Sequence, residues 1–429
     1  MHVIAINLPD LLLGLWRGTI DCDCNDSRDL WDWVVLTGDT WKVHGLGVAR
    51  CRPYFPGSFD CTPRNPAEKI SSGYKAWEFL LYVFGLCPGL LYGLLPRLYW
   101  ANFCKLAAGV RLLQQRAVSV TQVQTAHCLL LDFTEEYEAI YYQQKVERLQ
   151  FCRQSIHALS HLSPDTIRLG PGGYSSQWTL ECTIGNLGEE LKQPSNPYAN
   201  LANRGLRRSQ VSALHAMLPD LEPDIPCLPR GSVDLGGGYI LLRAWDETRV
   251  LLRGKQADAL HAFMALGSGQ RGLPEDWEPR YIRWACLQLP NLQIARCAWK
   301  ETERASAAES VQRSRNVKFI SGETFHVGEV QFYFRSKHTG AECAYALISV
   351  WSEPDPQFLR ESSQAVYVCV YHGQDNLRVI EAKSITAVVA MVPMQPANGD
   401  CSDLFFLIDK PGLDSTMTSA DVNGEASDE

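Results

Sequence analysis

Apolar residues recur at three- and four-residue spacing from residue 1 to about 222, which predicts a mostly helical first half. The clearest stretch runs from Val123 to Leu162, with Leu130, Phe133, Tyr137, Tyr141, Val146, Leu149 and Ile156 among its apolar positions. Glycine and proline clusters predict loops at Pro53–Pro66 and Gly170–Gly173, and Gln193-Pro-Ser-Asn-Pro stops a helix begun near Thr179. From Tyr239 onward the pattern changes to alternation rich in β-branched and aromatic residues, as in Val330-Gln-Phe-Tyr-Phe and Val366-Tyr-Val-Cys-Val-Tyr. Short strands at regular spacing predict a small antiparallel barrel or sandwich, preceded by a helix over Lys255–Leu266. Pro219–Gly238 lies between the two patterns and reads as a linker. The fold class expected is therefore α+β. Residues 1–222 form a helical region, 223–238 the linker, 239–412 a β-rich domain, and 413–429 a disordered tail with five acids and no base. No internal repeat is visible.

Phe79–Pro96 is uncharged for 18 residues, the lower limit for a membrane-spanning helix. Gly85, Pro88, Gly89 and Gly93 interrupt it, and lipid would leave the freed backbone groups unsatisfied. Two short buried helices with a turn at Cys87-Pro88-Gly89 are expected instead, with no membrane partner.

An apolar content of 46% is enough for a large core and excludes a disordered or fibrous chain. The 15 cysteines are odd in number and scattered, unlike a disulfide framework, and no basic leader precedes the first apolar residues. A reducing compartment is expected. The net charge of −8 restricts any nucleic-acid surface to a local basic patch. Two acid-free stretches offer one. Phe79–Leu131 carries Arg97, Lys105, Arg111 and Arg116, and Leu191–Pro219 carries Lys192, Arg204, Arg207 and Arg208. Either stretch reads as a phosphate-facing surface or as an ordinary solvated helix face. Tyr92, Tyr99, Trp100 and Phe103 are either base-stacking residues or core.

No phosphate loop, dinucleotide fingerprint or nucleophile elbow is present, and Gly236-Gly-Gly fits a linker. Cys22-Asp-Cys24 has the wrong spacing for a zinc knuckle. His157 and His161 share a helix face, which suits either a shared ion or a hydrogen-bonded structural pair. Glu78 and Glu181 are carboxylates in apolar settings, where a charge is costly unless paired or metal-bound.

Several segments together resemble the CACTA (En/Spm-like) cut-and-paste DNA transposases, in particular the fungal Plavaka-type branch. The resemblance runs to about residue 412. It is carried by Met1-His2 through Trp16-Arg17-Gly18, by Arg64-Asn-Pro-Ala-Glu-Lys-Ile-Ser-Ser-Gly-Tyr-Lys-Ala-Trp-Glu-Phe-Leu-Leu-Tyr, and by Ser176-Gln-Trp-Thr-Leu-Glu. Gly185-Asn-Leu-Gly-Glu-Glu and Gln193-Pro-Ser-Asn-Pro-Tyr through Arg204-Gly-Leu-Arg-Arg extend the last block.

The resemblance implies an RNase H-like core in which three acids hold two Mg²⁺ ions for phosphodiester hydrolysis and strand transfer. Glu78 would be the second acid and Glu181 the last, serving as both catalytic residues and metal ligands. Lys192, Arg204, Arg207 and Arg208 would contact DNA at the transposon ends, in the nucleus, with a homo-oligomer as a further implied partner. Two departures bear on activity. The family's first aspartate precedes the segment that matches Met1-His2, and Cys182 stands where the family has an arginine after the last glutamate. The expectation is a catalytically incomplete, DNA-associated portion of a transposase with impaired Mg²⁺ binding. The alternative is a non-catalytic interaction module, or a domesticated remnant, acting through the β-rich domain.

Overall fold

The computed structural model describes residues 2–59, 62–70, 73–175, 177–191, 195–218, 228–267, 277–305, 312–337, 342–394 and 403–413. Within these residues the first half is helical: α1 (Leu8–Trp16), α2 (Gly38–Arg50), α3 (Pro66–Lys69), α4 (Ala76–Leu81), α5 (Cys87–Leu90), α6 (Arg97–Leu113), α7 (Val120–Tyr137), α8 (Gln154–His157), α9 (Leu159–Leu169), α10 (Gly172–Ser175), α11 (Trp178–Glu190) and α12 (Pro197–Met217). The second half carries β1 (Val233–Gly236), β2 (Tyr239–Trp245), β3 (Val250–Leu251), β4 (Arg280–Tyr281), β5 (Trp284–Gln288), β6 (Ile294–Arg296), β7 (Asn316–Ser321), β8 (Thr324–Ser336) and β9 (Cys343–Val350). After these come β10 (Val368–Val370), β11 (Leu377–Glu381), β12 (Ile385–Val388), β13 (Ala390–Pro393) and β14 (Leu404–Ile408), with helices α13 (Lys255–Gly267), α14 (Ala298–Ala305) and α15 (Pro356–Glu361) between strands. The class is α+β, as the periodicity predicts.

Amphipathic spacing explains the helical core. α6 buries Tyr99, Trp100, Phe103, Leu106 and Val110. α7 packs against it through Val123, Ala126, Leu130 and Phe133, at a point where Gly109 brings the two backbones close. α7 begins with Ser119 and Gln122, which satisfy each other's backbone N–H groups in a capping box.

The run Phe79–Pro96 differs from expectation. The chain passes from α4 through a π turn (Tyr82–Leu86) into α5 without breaking at Cys87-Pro88-Gly89, and it reverses over Leu91–Pro96 instead. Pro88 lies inside this continuous run and supplies no N–H to it, and Arg111 donates to the carbonyls of Phe84 and Gly85 in the turn before it. Gly89 serves a close approach, since a Cβ there would stand 2.6 Å from the Phe406 ring. Among the described residues no helix is long and apolar enough to cross a membrane.

Nine strands form one antiparallel sheet along β1-β2-β5-β8-β7-β12, with β6 branching from β5 and the pair β9–β11 from β8. β8 is bulged between Val330 and Phe332, and the sheet curls until the Tyr239 hydroxyl on β2 donates to the Ile385 carbonyl on β12 at 3.0 Å. Gly236-Gly-Gly is a hairpin turn rather than linker. All three glycines have positive φ, and β1 pairs with β2 across them.

The two halves also share a core, so the expected division near residue 222 is not a packing boundary. The three-stranded sheet β10-β14-β13 lays Val368, Val392, Phe406 and Ile408 against the helical core. Arg97 pairs with Glu361 at 2.8 Å, and Arg111 donates to the carbonyls of Phe84, Gly85 and Ala365. The expected acidic tail beyond Leu413 lies outside the described residues.

Candidate nucleic-acid interface

Glu78 is fully buried at the third position of α4. Its carboxylate accepts from Arg64 Nε at 2.7 Å and Arg64 Nη2 at 2.6 Å, and from the backbone N–H groups of Arg64 and Lys75 at 3.2 and 2.9 Å. Burial alone would raise its pKa, but the Arg64 fork and the two amides bring it net below the usual carboxylate range. Tyr74 closes the same corner by donating its hydroxyl to the Arg64 carbonyl at 3.1 Å. The result is a tie between the Pro63–Asn65 segment and the start of α4, with each carboxylate oxygen taking two donors.

Glu181 stands exposed in the first turn of α11. α11 packs on α10 and α12, whereas α4 packs on the N-terminal turn Val3–Asn7 and on the π turn that follows it. A shared ion would have to reach a carboxylate with no accessible surface and displace the bidentate Arg64 from it. These donors do not fit a two-metal centre, and among the described residues no group of three or more His, Cys, Asp and Glu is placed to hold a metal ion. The side chain of Cys182 lies outside the described residues.

His157 and His161 do meet, with Nε2 atoms 3.1 Å apart on an exposed face, and so form a hydrogen-bonded pair. Cys22 turns its thiol to the Asp26 carbonyl and Cys24 is exposed.

The two acid-free stretches part company. In the first, Lys105 pairs with Glu136 at 2.5 Å, Arg97 is bound to Glu361, and Arg111 is spent on carbonyls. Tyr99, Trp100 and Phe103 are core, and Tyr92 is half-buried against Phe358. Of its four cations only Arg116 is exposed without a carboxylate partner among the described residues, so that stretch presents no cluster of unpaired cations. The second is different. α12 runs for 21 residues from Pro197, which suits the first helical position, and none of its residues is buried. Arg204, Arg207 and Arg208 lie on it, and it contains no acid. Lys192 lies outside the described residues.

Glu190, the last residue of α11, accepts from Arg204 at 3.2 Å and from Arg208. What little desolvation Glu190 suffers would raise its pKa, yet the two guanidinium groups hold it below the ordinary value. One carboxylate thus aligns two arginines a helical turn apart, and Arg207 beside them has no carboxylate partner among the described residues. Planar guanidinium forks in that arrangement suit bidentate contact with phosphate oxygens.

Sequence reasoning missed Arg64 as the partner of Glu78, although Arg64 stands in the same quoted segment. It also missed the pairing of Asp26 with Arg148, two charges 122 residues apart. No family model, curated protein or solved structure matches the chain.

Proposed function

We propose that the protein is a transposase-derived, DNA-associated protein that binds the DNA phosphate backbone through α12 and performs no metal-dependent strand chemistry. The single observation that carries the reading is the run of three arginines on α12, a helix that itself contains no acid and buries none of its residues, in a protein of net charge −8. Phosphate contacts dominate DNA affinity, and a few arginines on one helix supply them without sequence selection. The resemblance to CACTA transposases supports DNA as the polyanion and the nucleus as the place. The buried Glu78 carboxylate, held by Arg64 and two backbone amides, supports binding in place of catalysis.

The test is the affinity for a labelled 30-base-pair duplex as a function of salt. Each phosphate contact adds about 0.9 to the slope of log affinity against log salt. Arg204→Gln/Arg207→Gln/Arg208→Gln is expected to lower the slope by about two to three and to weaken binding more than tenfold at low salt. Glu190→Gln releases two arginines and is expected to strengthen binding. An unchanged slope in the triple variant overturns the reading.

A further inference from the structure

A second basic surface lies in the β-rich half, far from α12 in sequence and built quite differently. Strand register places Trp245 of β2 opposite Trp284 of β5, and Trp284 opposite Tyr333 of β8. Directly opposed residues project from the same face, so three aromatics stand in one row across three strands. The two indoles are 4.7 Å apart between ring centroids, and Gly231 presses against the outer edge of Trp245, where a Cβ would come within 2.5 Å. Trp245 is therefore fixed in place yet only partly buried.

Tyr333 is buried in the sheet's core, while Trp245 and Trp284 form one wall of an open cavity of about 360 Å³. Arg249 just before β3, Arg280 on β4, and Arg335 and Lys337 at the end of β8 converge on it. Arg280 pairs with Glu278 at 2.8 Å and Arg335 with Glu342 at 2.6 Å, both at exposed positions where such pairs contribute little. Arg249 and Lys337 are exposed and have no carboxylate partner among the described residues. Four cations face two carboxylates beside an aromatic wall.

Cations alone would suit any anion, and an aromatic wall alone would suit any apolar body. Together they suit a ligand with a phosphate at one end and a planar ring at the other. We propose that this cavity binds a nucleotide, with its phosphate on Arg249 and Lys337 and its base against the Trp245–Trp284 pair. The volume fits one such unit, whether a free mononucleotide or one unpaired nucleotide of a single strand. This site does not depend on the reading of α12.

The test uses the full chain and labelled (dT)12, with thymidine monophosphate and inorganic phosphate as competitors. The exposed double variant Arg249→Glu/Lys337→Glu is expected to lose at least tenfold in affinity, while Arg204→Gln/Arg207→Gln/Arg208→Gln retains most of it. Thymidine monophosphate is expected to compete at concentrations far below those of inorganic phosphate. Displacement by the mononucleotide as efficient as by unlabelled (dT)12 identifies a free nucleotide as occupant, and much weaker displacement identifies an unpaired strand. Unchanged affinity in the double variant, or inorganic phosphate competing as well as the mononucleotide, overturns the proposal.

Discussion

Arg148→Met is expected to destabilise the protein by about 3 to 5 kcal/mol, the range for breaking a buried ion pair from one side. Arg148 and Asp26 are both buried and meet in a fork, Nε to Oδ2 at 2.6 Å and Nη2 to Oδ1 at 2.8 Å. Arg148 also donates to the Tyr141 carbonyl at 3.1 Å, its guanidinium lies over the Trp33 ring at 5.1 Å, and Trp31 donates to Asp26 at 3.0 Å. Removing the arginine leaves a carboxylate sealed among indoles. The Arg148 hydrogen bond, outweighing burial, holds the Asp26 pKa below its ordinary 3.8. The pair's stabilisation is therefore complete above that value and is lost as pH falls through the depressed folded one. Urea unfolding at pH 7 and pH 3 is expected to show the Arg148→Met deficit shrinking in acid, where Asp26 can be neutralised. Equal stability of variant and wild type at pH 7 would mean the pair contributes nothing. Asp26→Asn in the Arg148→Met background is expected to recover part of the loss, because the stranded charge is gone.

The second large effect is a pH dependence set by His44. This residue of α2 is buried, stacked on Trp41, with Nε2 2.9 Å from the Tyr82 hydroxyl. Burial pushes its pKa from 6.5 down to about 4. Tyr82 is itself pushed well above its ordinary value by burial, so it remains a neutral donor to the imidazole. Because the folded pKa is the lower one, the unfolded chain binds the extra proton between pH 6.5 and about 4, and stability falls as pH drops through that window. At about 1.4 kcal/mol per pH unit the loss approaches about 3 kcal/mol. His44→Gln cannot titrate and is expected to show a flatter profile over the same window. Parallel profiles for variant and wild type would remove His44 as the cause.

The helical core was legible in the sequence wherever one helical period continued. Leu130, Phe133, Tyr137 and Tyr141 are all buried, as the spacing predicts. Val146 and Leu149, read in the same stretch, are exposed instead. The reason is local. A π turn at Glu138–Tyr142 shifts the phase, Gln143 and Gln144 take left-handed φ, and Val146–Phe151 continues as a 3-10 helix. The alternating strands were legible for the same reason as the helices, but their partners were not. Register is a long-range property, and nothing local states that Trp245, Trp284 and Tyr333 form one row.

The site was partly legible. Spacing and charge selected α12, whose three arginines are exposed although two share Glu190, and also selected Phe79–Leu131, where Arg97, Lys105 and Arg111 are taken by distant partners and only Arg116 stands exposed without one. An acid-free stretch reports local charge and not the carboxylates that distant elements bring to it, as Glu361 does for Arg97. Glu78 shows the same limit. Its apolar flanks mark a buried carboxylate correctly, but burial is satisfied by Arg64, 14 residues upstream.

The assignment of Glu78 to the fold rather than to a metal site is tested most directly by thermal unfolding of wild type and Glu78→Gln with and without 10 mM Mg²⁺. A ligand that binds only the folded state raises its stability by mass action. The expected result is a Glu78→Gln variant less stable by about 1.5 to 3 kcal/mol of lost charged hydrogen bonding, with a correspondingly lower Tm, and the same wild-type Tm with and without Mg²⁺. A wild-type Tm that rises with Mg²⁺, and a rise that disappears in Glu78→Gln, would contradict it.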